Sequence, residues 1–171
     1  MLFRSIALGF IGIMSLWLGI MKIAEEAGLV QKLAKLISPI TKRLFPDVPE
    51  DHPAMGAMVM NLSANILGLG NAATPLGLKA MGELQKLNET EDTATDAMVM
   101  FLAINTSSVT LIPATTIGIL SAAGGTNPTN IIGPTLISTI VSTIVAIIAV
   151  KTMQKMPRYR INYNKVENKE A

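Results

Sequence analysis

Gly68-Leu-Gly-Asn-Ala-Ala-Thr-Pro75 interrupts an apolar stretch that carries no charge for 26 residues, from Pro53 to Leu78, and the reading of that interruption decides the fold. The residues before it, Ala54 to Leu67, suit a helix. Glycine then breaks the pattern. Thr74 followed by Pro75 is a start signal for a new helix, because threonine caps free amides and proline suits the first helical position. The second piece is expected to run to about Leu87. At 1.5 Å per residue, two pieces of about 14 residues reach roughly 20 Å each, short of the roughly 30 Å of bilayer hydrocarbon. The pair is therefore expected as a broken or re-entrant helix.

The same pattern recurs downstream. Ala97 to Ile104 is apolar, Asn105-Thr-Ser-Ser-Val-Thr110 is polar, and Pro113 opens another apolar piece ending near Gly124. No Asp, Glu, Lys, Arg or His occurs over the 54 residues from Ala97 to Val150, room for two spans of about 20 residues and a connection. Asn130 to Val150, rich in Ile and Val, is the clearest span. Near the N-terminus, Ser5 to Met21 is uncharged, and Ser5 to Ala24 is expected to cross once, with Lys22 reaching the headgroups. A cleaved signal peptide is the alternative there, disfavoured because the stretch continues for most of a full span.

Between these segments, Leu29, Val30, Leu33, Leu36, Ile37, Ile40 and Leu44 recur at helical spacing, with Lys32, Lys35, Lys42 and Arg43 mainly elsewhere on the wheel. This predicts a helix lying in the membrane interface, bent or ended by Pro39. An amphipathic helix packed on a partner fits equally. His52, between Asp51 and Pro53, is expected at a helix end. The fold class is thus all-α: a polytopic membrane protein with two full spans, an interfacial amphipathic helix and two broken or re-entrant helices. A membrane-embedded domain covers residues 1–156, and a basic tail covers 157–171.

Only 15% of the 171 residues are charged, against about 25% in soluble domains. With no cysteine and one histidine, no metal-ligating or nucleophile–base pattern stands out. No enzyme activity, metal or cofactor is expected, and a net charge of +2 without an aromatic-interleaved basic stripe excludes nucleic acid as a partner.

Inside a bilayer an unpaired backbone amide or carbonyl costs several kcal/mol, so irregular backbone survives only when buried in protein or lining a wet cavity. Paired broken helices in transporters use such places to hold substrate or ion. The polar groups beside the two breaks are Asn61, Asn65, Asn71 and Thr74 on one side and Asn105, Thr106 and Ser107 on the other. All are uncharged amides or hydroxyls, suited to a neutral polar solute or a small cation. The competing reading is that they serve only as interhelical hydrogen-bond glue, at about 1 kcal/mol each.

At Asp51-His-Pro-Ala-Met-Gly56, Gly68-Leu-Gly-Asn-Ala-Ala-Thr-Pro-Leu-Gly-Leu-Lys-Ala-Met81 and Phe101-Leu-Ala-Ile-Asn-Thr-Ser-Ser-Val-Thr-Leu-Ile-Pro113, the chain closely resembles the spore maturation protein A family. The resemblance runs roughly from Trp17 to Val150. It implies membership of the nucleoside-recognition, or gate-domain, group, association with spore core dehydration, and action with a homologous spore maturation protein B-like subunit. Family members usually carry a further hydrophobic segment ahead of the first span, so the chain reads as shortened. Iron-transporting relatives place a cysteine at the break where this sequence offers Asn71, so iron transport is not expected.

The leading expectation is a transport or gating subunit in the cell membrane, completed by that homologous subunit or by further copies of itself. The alternative is a non-transporting membrane scaffold that recruits other proteins. Lys151, Lys155, Arg158, Arg160, Lys165 and Lys169 outnumber the acidic residues that follow the last span, which places the C-terminus in the cytoplasm. The first broken segment then enters and leaves on the inner side, and the second crosses outward. Reporter fusions at Asn88 and Thr126 are accordingly expected on opposite faces of the membrane; finding both on one face overturns the topology.

Overall fold

A computed structural model describes residues 26–90, 92–107 and 109–156, with Ile11, Ser15, Gly19 and Ile23 as isolated positions. The span expected over Ser5 to Ala24 and the tail over 157–171 lie outside the described residues. The described chain is helical, with no strand: α1 (Leu29–Leu44), α2 (Pro53–Ile66), α3 (Gly70–Gln85), α4 (Asp96–Ser107), α5 (Ala114–Ala122), then a 3-10 turn (Pro128–Ile131) leading into α6 (Ile132–Lys155).

α1 forms on the predicted amphipathic pattern, and Pro39 lies inside the helix without ending it. Its apolar residues divide between two surroundings. Leu33, Ala34, Ile37 and Thr41 turn toward α2, whereas Leu36 is 71% exposed and Ile40 60% exposed, beside exposed Lys32, Lys35 and Arg43. Phe45, just past the helix, is buried and meets Phe101 of α4 edge-on, with ring centroids 6.5 Å apart. His52 caps α2, its Nδ1 accepting from the Ala54 amide at 3.2 Å, as expected of a residue at that helix start.

α2 and α3 pack against one another as a helical hairpin. Small residues bring them close: Ala54, Ala57, Ser63, Ala64, Ala73 and Ala80 are all buried. The turn between them is tighter than the sequence pattern indicates. α3 begins at Gly70, not at Thr74-Pro75, and Pro75 falls inside the helix. The reason lies in how α2 ends. Gly68 adopts φ +77°, its amide donates to the Asn65 carbonyl at 2.9 Å, and the Leu69 amide donates to the Ala64 carbonyl at 2.9 Å. This is a Schellman cap, which reverses the chain within two residues. The Ala73 amide already donates to Leu69 at 2.8 Å, so the new helix is under way before the threonine–proline pair is reached.

The second interruption is also displaced. Asn105, Thr106 and Ser107 remain in α4, and the irregular backbone lies between Ser107 and Ala114. The Thr106 hydroxyl donates to the Leu102 carbonyl and the Ser107 hydroxyl to the Ala103 carbonyl, both at 2.9 Å. Such back-bonding lets polar side chains stay helical. α5 shares no packing with α4 among the described residues, in contrast to the α2–α3 hairpin. It ends on a second Schellman cap, with Gly124 at φ +81° and the Gly125 amide donating to Leu120 at 2.9 Å.

The two interruptions touch. A Cβ on Gly68 would stand 2.3 Å from the Ile112 carbonyl oxygen, and the Leu111 amide donates to the Ile66 carbonyl at 2.7 Å. α6 packs on α4 and braces the second break from its other side. The Thr143 hydroxyl donates to the Ser107 carbonyl at 3.3 Å, and the Thr110 amide donates to the Thr139 hydroxyl at 3.5 Å.

The continuous helix Pro128–Lys155, 28 residues long and strongly apolar, reaches roughly 42 Å, more than the roughly 30 Å of hydrocarbon. Little of it is covered by protein. Ile137, Val141, Ile144, Val145 and Ile148 are all exposed, as suits a surface facing lipid. It is the one candidate span among the described residues.

Gly68 and Gly124 share a left-handed backbone, but nothing lies within 4 Å of a Cβ on Gly124. Gly124→Ala is expected to cost about 1 kcal/mol, the strain of the backbone alone. Gly68→Ala adds a collision with fixed backbone, for a total of about 2–4 kcal/mol. Thermal unfolding in detergent checks the ranking; equal losses would mean that the two breaks are not pressed together.

Candidate functional site

Beside the two interruptions, α2, α3 and α4 enclose an open cleft of about 270 Å³. Four of the seven residues singled out in the sequence line it: Asn61 and Asn65 from α2, Thr74 from α3 and Asn105 from α4. Asn61 and Asn65 share a face because they are four apart in a helix, and Asn105 faces them because α4 packs on both helices of the hairpin.

The three asparagines form one connected chain. Asn61 is 2% exposed and donates through Nδ2 to the Ala73 carbonyl at 2.7 Å. Asn65 Nδ2 donates to Asn61 Oδ1 at 3.4 Å and to Asn105 Oδ1 at 2.9 Å. Asn105 Nδ2 in turn donates to the Phe101 carbonyl at 2.9 Å. The chain links the start of α3 through α2 to α4. Each amide nitrogen carries two protons and each amide oxygen two lone pairs. Asn61 and Asn105 therefore each keep one proton beyond the bonds described, and Asn65 Oδ1 accepts from no described residue.

Gly77 makes room for this arrangement. A Cβ there would stand 2.9 Å from Asn61 Nδ2, so any larger residue displaces the amide from Ala73. Leu78, Met81, Phe101 and Leu102 supply the apolar walls. No titratable side chain lines the cleft, so its electrostatics are those of amide dipoles, hydroxyls and an aromatic ring.

The remaining candidates fall elsewhere. Thr106 is exposed and Ser107 half-buried, and neither lines the cleft. Asn71 sits in the first turn of α3; its side chain lies outside what the structure describes. The expectation that unwound backbone would itself face a solute does not hold at the end of α2. All four terminal carbonyls of α2 are taken: Ser63 by the Leu67 amide, Ala64 by Leu69, Asn65 by Gly68 and Ile66 by Leu111. The carbonyls that end α2 are thus occupied, the last of them by the second break, and the side chains that line the cleft come from residues next to the breaks.

Sequence reading passed over Gly77, Phe101, Thr139 and Thr143. Phe101 was within reach, since it stands four residues before Asn105, where an asparagine can bond back to a carbonyl. Thr139 and Thr143 are likewise four apart, a spacing that marks one helix face. Gly77 carried no local signal.

Comparison with known proteins adds three findings. Residues 7–123 match the family model described as Gate, nucleoside recognition. The chain is 49% identical over 144 residues to spore maturation protein A of Bacillus subtilis (strain 168), an alignment covering 84% of this chain and 74% of that protein. No solved structure matches the chain.

The Asn65–Asn105 bond ties α2 to α4. A double-mutant cycle of Asn65→Ala and Asn105→Ala is expected to give a coupling of about 1 kcal/mol in detergent unfolding, the usual size for a hydrogen bond between membrane helices. Coupling indistinguishable from zero would mean that the two amides do not meet.

Proposed function

The chain belongs to the nucleoside-recognition Gate family, and on that premise we propose that it is a membrane transport or gating subunit for a small, neutral, polar solute. The observation that carries this reading is the convergence of Asn61, Asn65, Thr74 and Asn105, from three helices, on one cleft without a titratable group. Amides that retain unused donors and an unused acceptor can exchange bonds with a solute at little cost. A charged solute would find no counter-charge among these lining residues. The proposal is of a non-catalytic protein.

The apolar exterior of α6 and the similarity to a spore maturation protein support a place in the cell membrane and a role connected with sporulation. The finer arrangement is part of the proposal: several passes, α1 lying on the inner surface, the α2–α3 hairpin re-entering from that side, and the C-terminus in the cytoplasm. Halves of 12 and 9 residues in α4 and α5, roughly 18 Å and 14 Å long, cross the hydrocarbon only when taken together. A homologous B-like subunit, or further copies of this chain, would complete the unit by covering the open side of the cleft.

One observation favours the scaffold reading. Leu36 and Ile40 are exposed beside Lys32, Lys35 and Arg43, a surface that could hold another protein at the membrane. Solute flux into proteoliposomes, with and without the homologous subunit, separates the two. Transport predicts entry of small neutral polar solutes and its reduction by about tenfold or more in Asn105→Leu, with assembly unchanged, because the substitution removes donors and acceptors together. Entry no faster than into empty vesicles for every solute tried would leave the scaffold.

A further inference from the structure

Asn65 lines two cavities, not one. The first is the cleft described above, on the α3 side of the seam between α2 and α4. The second, about 180 Å³, lies on the other side, against α1 and α6, where Ile37, Leu62, Ile104 and Ile147 form its walls and Thr41 and Thr143 add hydroxyls. Neighbouring residues of α4 divide between them, Ile104 lining the second and Asn105 the first. The layer separating the cavities at this point is the Asn65 side chain, held across the seam by its 2.9 Å bond to Asn105 and steadied by its 3.4 Å bond to Asn61.

From this geometry we infer that the two cavities are successive compartments of one route through the bundle, and that the Asn65–Asn105 hydrogen bond is the door between them. The inference rests on the transport reading and adds a second binding compartment together with the residue that controls passage. The second compartment has its own chemistry. The Thr41 hydroxyl donates to the Ile37 carbonyl at 3.1 Å and the Thr143 hydroxyl to the Ser107 carbonyl at 3.3 Å, and each hydroxyl oxygen keeps lone pairs able to accept. No titratable group lines it. It suits an uncharged solute that donates a small number of hydrogen bonds to those lone pairs and otherwise meets aliphatic side chains.

Asparagine is fitted to be such a door. Its carboxamide swings by side-chain rotation without moving α2, and a solute in the first cleft can replace what the swing breaks. A solute donor reaches Asn65 Oδ1, which accepts from no described residue, while solute acceptors take the Asn61 and Asn105 protons not used in the bonds described. The bonds lost on opening are thus restored by the solute that needs the opening.

The chain contains no cysteine, so one introduced thiol reports access without background. In the full chain reconstituted in proteoliposomes, Ile147→Cys places a thiol in the second cavity and Leu102→Cys places one at the wall of the first. The probe is a small, neutral, water-soluble methanethiosulfonate. With Asn65 intact, Ile147→Cys is expected to label slowly. Adding Asn65→Ala is expected to speed it by about tenfold, the order that follows when two hydrogen bonds of ordinary net strength no longer hold the seam. Asn105→Ala, which leaves only the weaker bond to Asn61, is expected to speed it less, and Leu102→Cys is expected to label equally in every background. If Asn65→Ala does not assemble, Asn65→Ser removes the same bonds with a smaller change in polarity. Labelling of Ile147→Cys that ignores Asn65 and Asn105, or that matches Leu102→Cys in the intact protein, overturns the inference. A responsive thiol without solute flux keeps the passage and refutes transport, whereas flux with an unresponsive thiol refutes the passage alone.

Discussion

The hydrogen bond from the Leu111 amide to the Ile66 carbonyl joins two places where a helix stops within a short, apolar chain. Each stop on its own would leave helix-end backbone groups without intrahelical partners. Placed against each other, they share the burden. The Schellman turn at Gly68 satisfies the carbonyls of Ala64 and Asn65, Leu111 takes that of Ile66, and two hydroxyls from α6 serve the Ser107 carbonyl and the Thr110 amide. Gly68 is indispensable to this arrangement for two reasons at once: its positive φ ends α2, and its missing side chain admits the Ile112 carbonyl. With the breaks paired, α2, α3 and α4 meet beside them, and the asparagines at their seam form one connected chain.

Much of this was legible beforehand, and the places where it was not share a cause. Helix identities followed from charge-free runs and glycine punctuation, and Asn61 with Asn65 followed from spacing on one face. What misled was local signalling. Thr74-Pro75 is a sound helix start, yet the turn at Gly68 had already reversed the chain and α3 began at Gly70. Asn105, Thr106 and Ser107 look like a break because they are polar, yet each bonds back along its own helix. Tertiary partners cannot be seen in a linear pattern, so the sequence pointed to unwound backbone as the polar surface when the carbonyls ending α2 were already taken. Gly77 shows the same limit, because its importance comes wholly from Asn61, sixteen positions away and on another helix.

The relation between breaks and cleft gives the site its character. A solute site made of free helix ends changes shape whenever the helix ends move. The proposed site is made instead of side-chain amides beside paired breaks, whose walls need not move when hydrogen bonds are exchanged. Asn61, anchored on the Ala73 carbonyl and hemmed in by Gly77, is the fixed member. Asn65, bonded only to other side chains, is the adjustable one. The family to which the chain belongs is thus represented here by a backbone crossing with a small, hydrogen-bonded polar cluster at its side.

α6 shows how little is needed to orient an evenly greasy cylinder. Isoleucine and valine occur all around it, so oil-loving character gives it no preferred azimuth. Thr139 and Thr143, stacked one turn apart, mark the side that meets the backbone between α4 and α5. Those two oxygen atoms, together with the Gln154 amide that donates to the Asp96 carbonyl at 3.1 Å further along, act as the keyway that stops this shaft from spinning. Any push that rolls it about its long axis must first pull those teeth from the gap between α4 and α5.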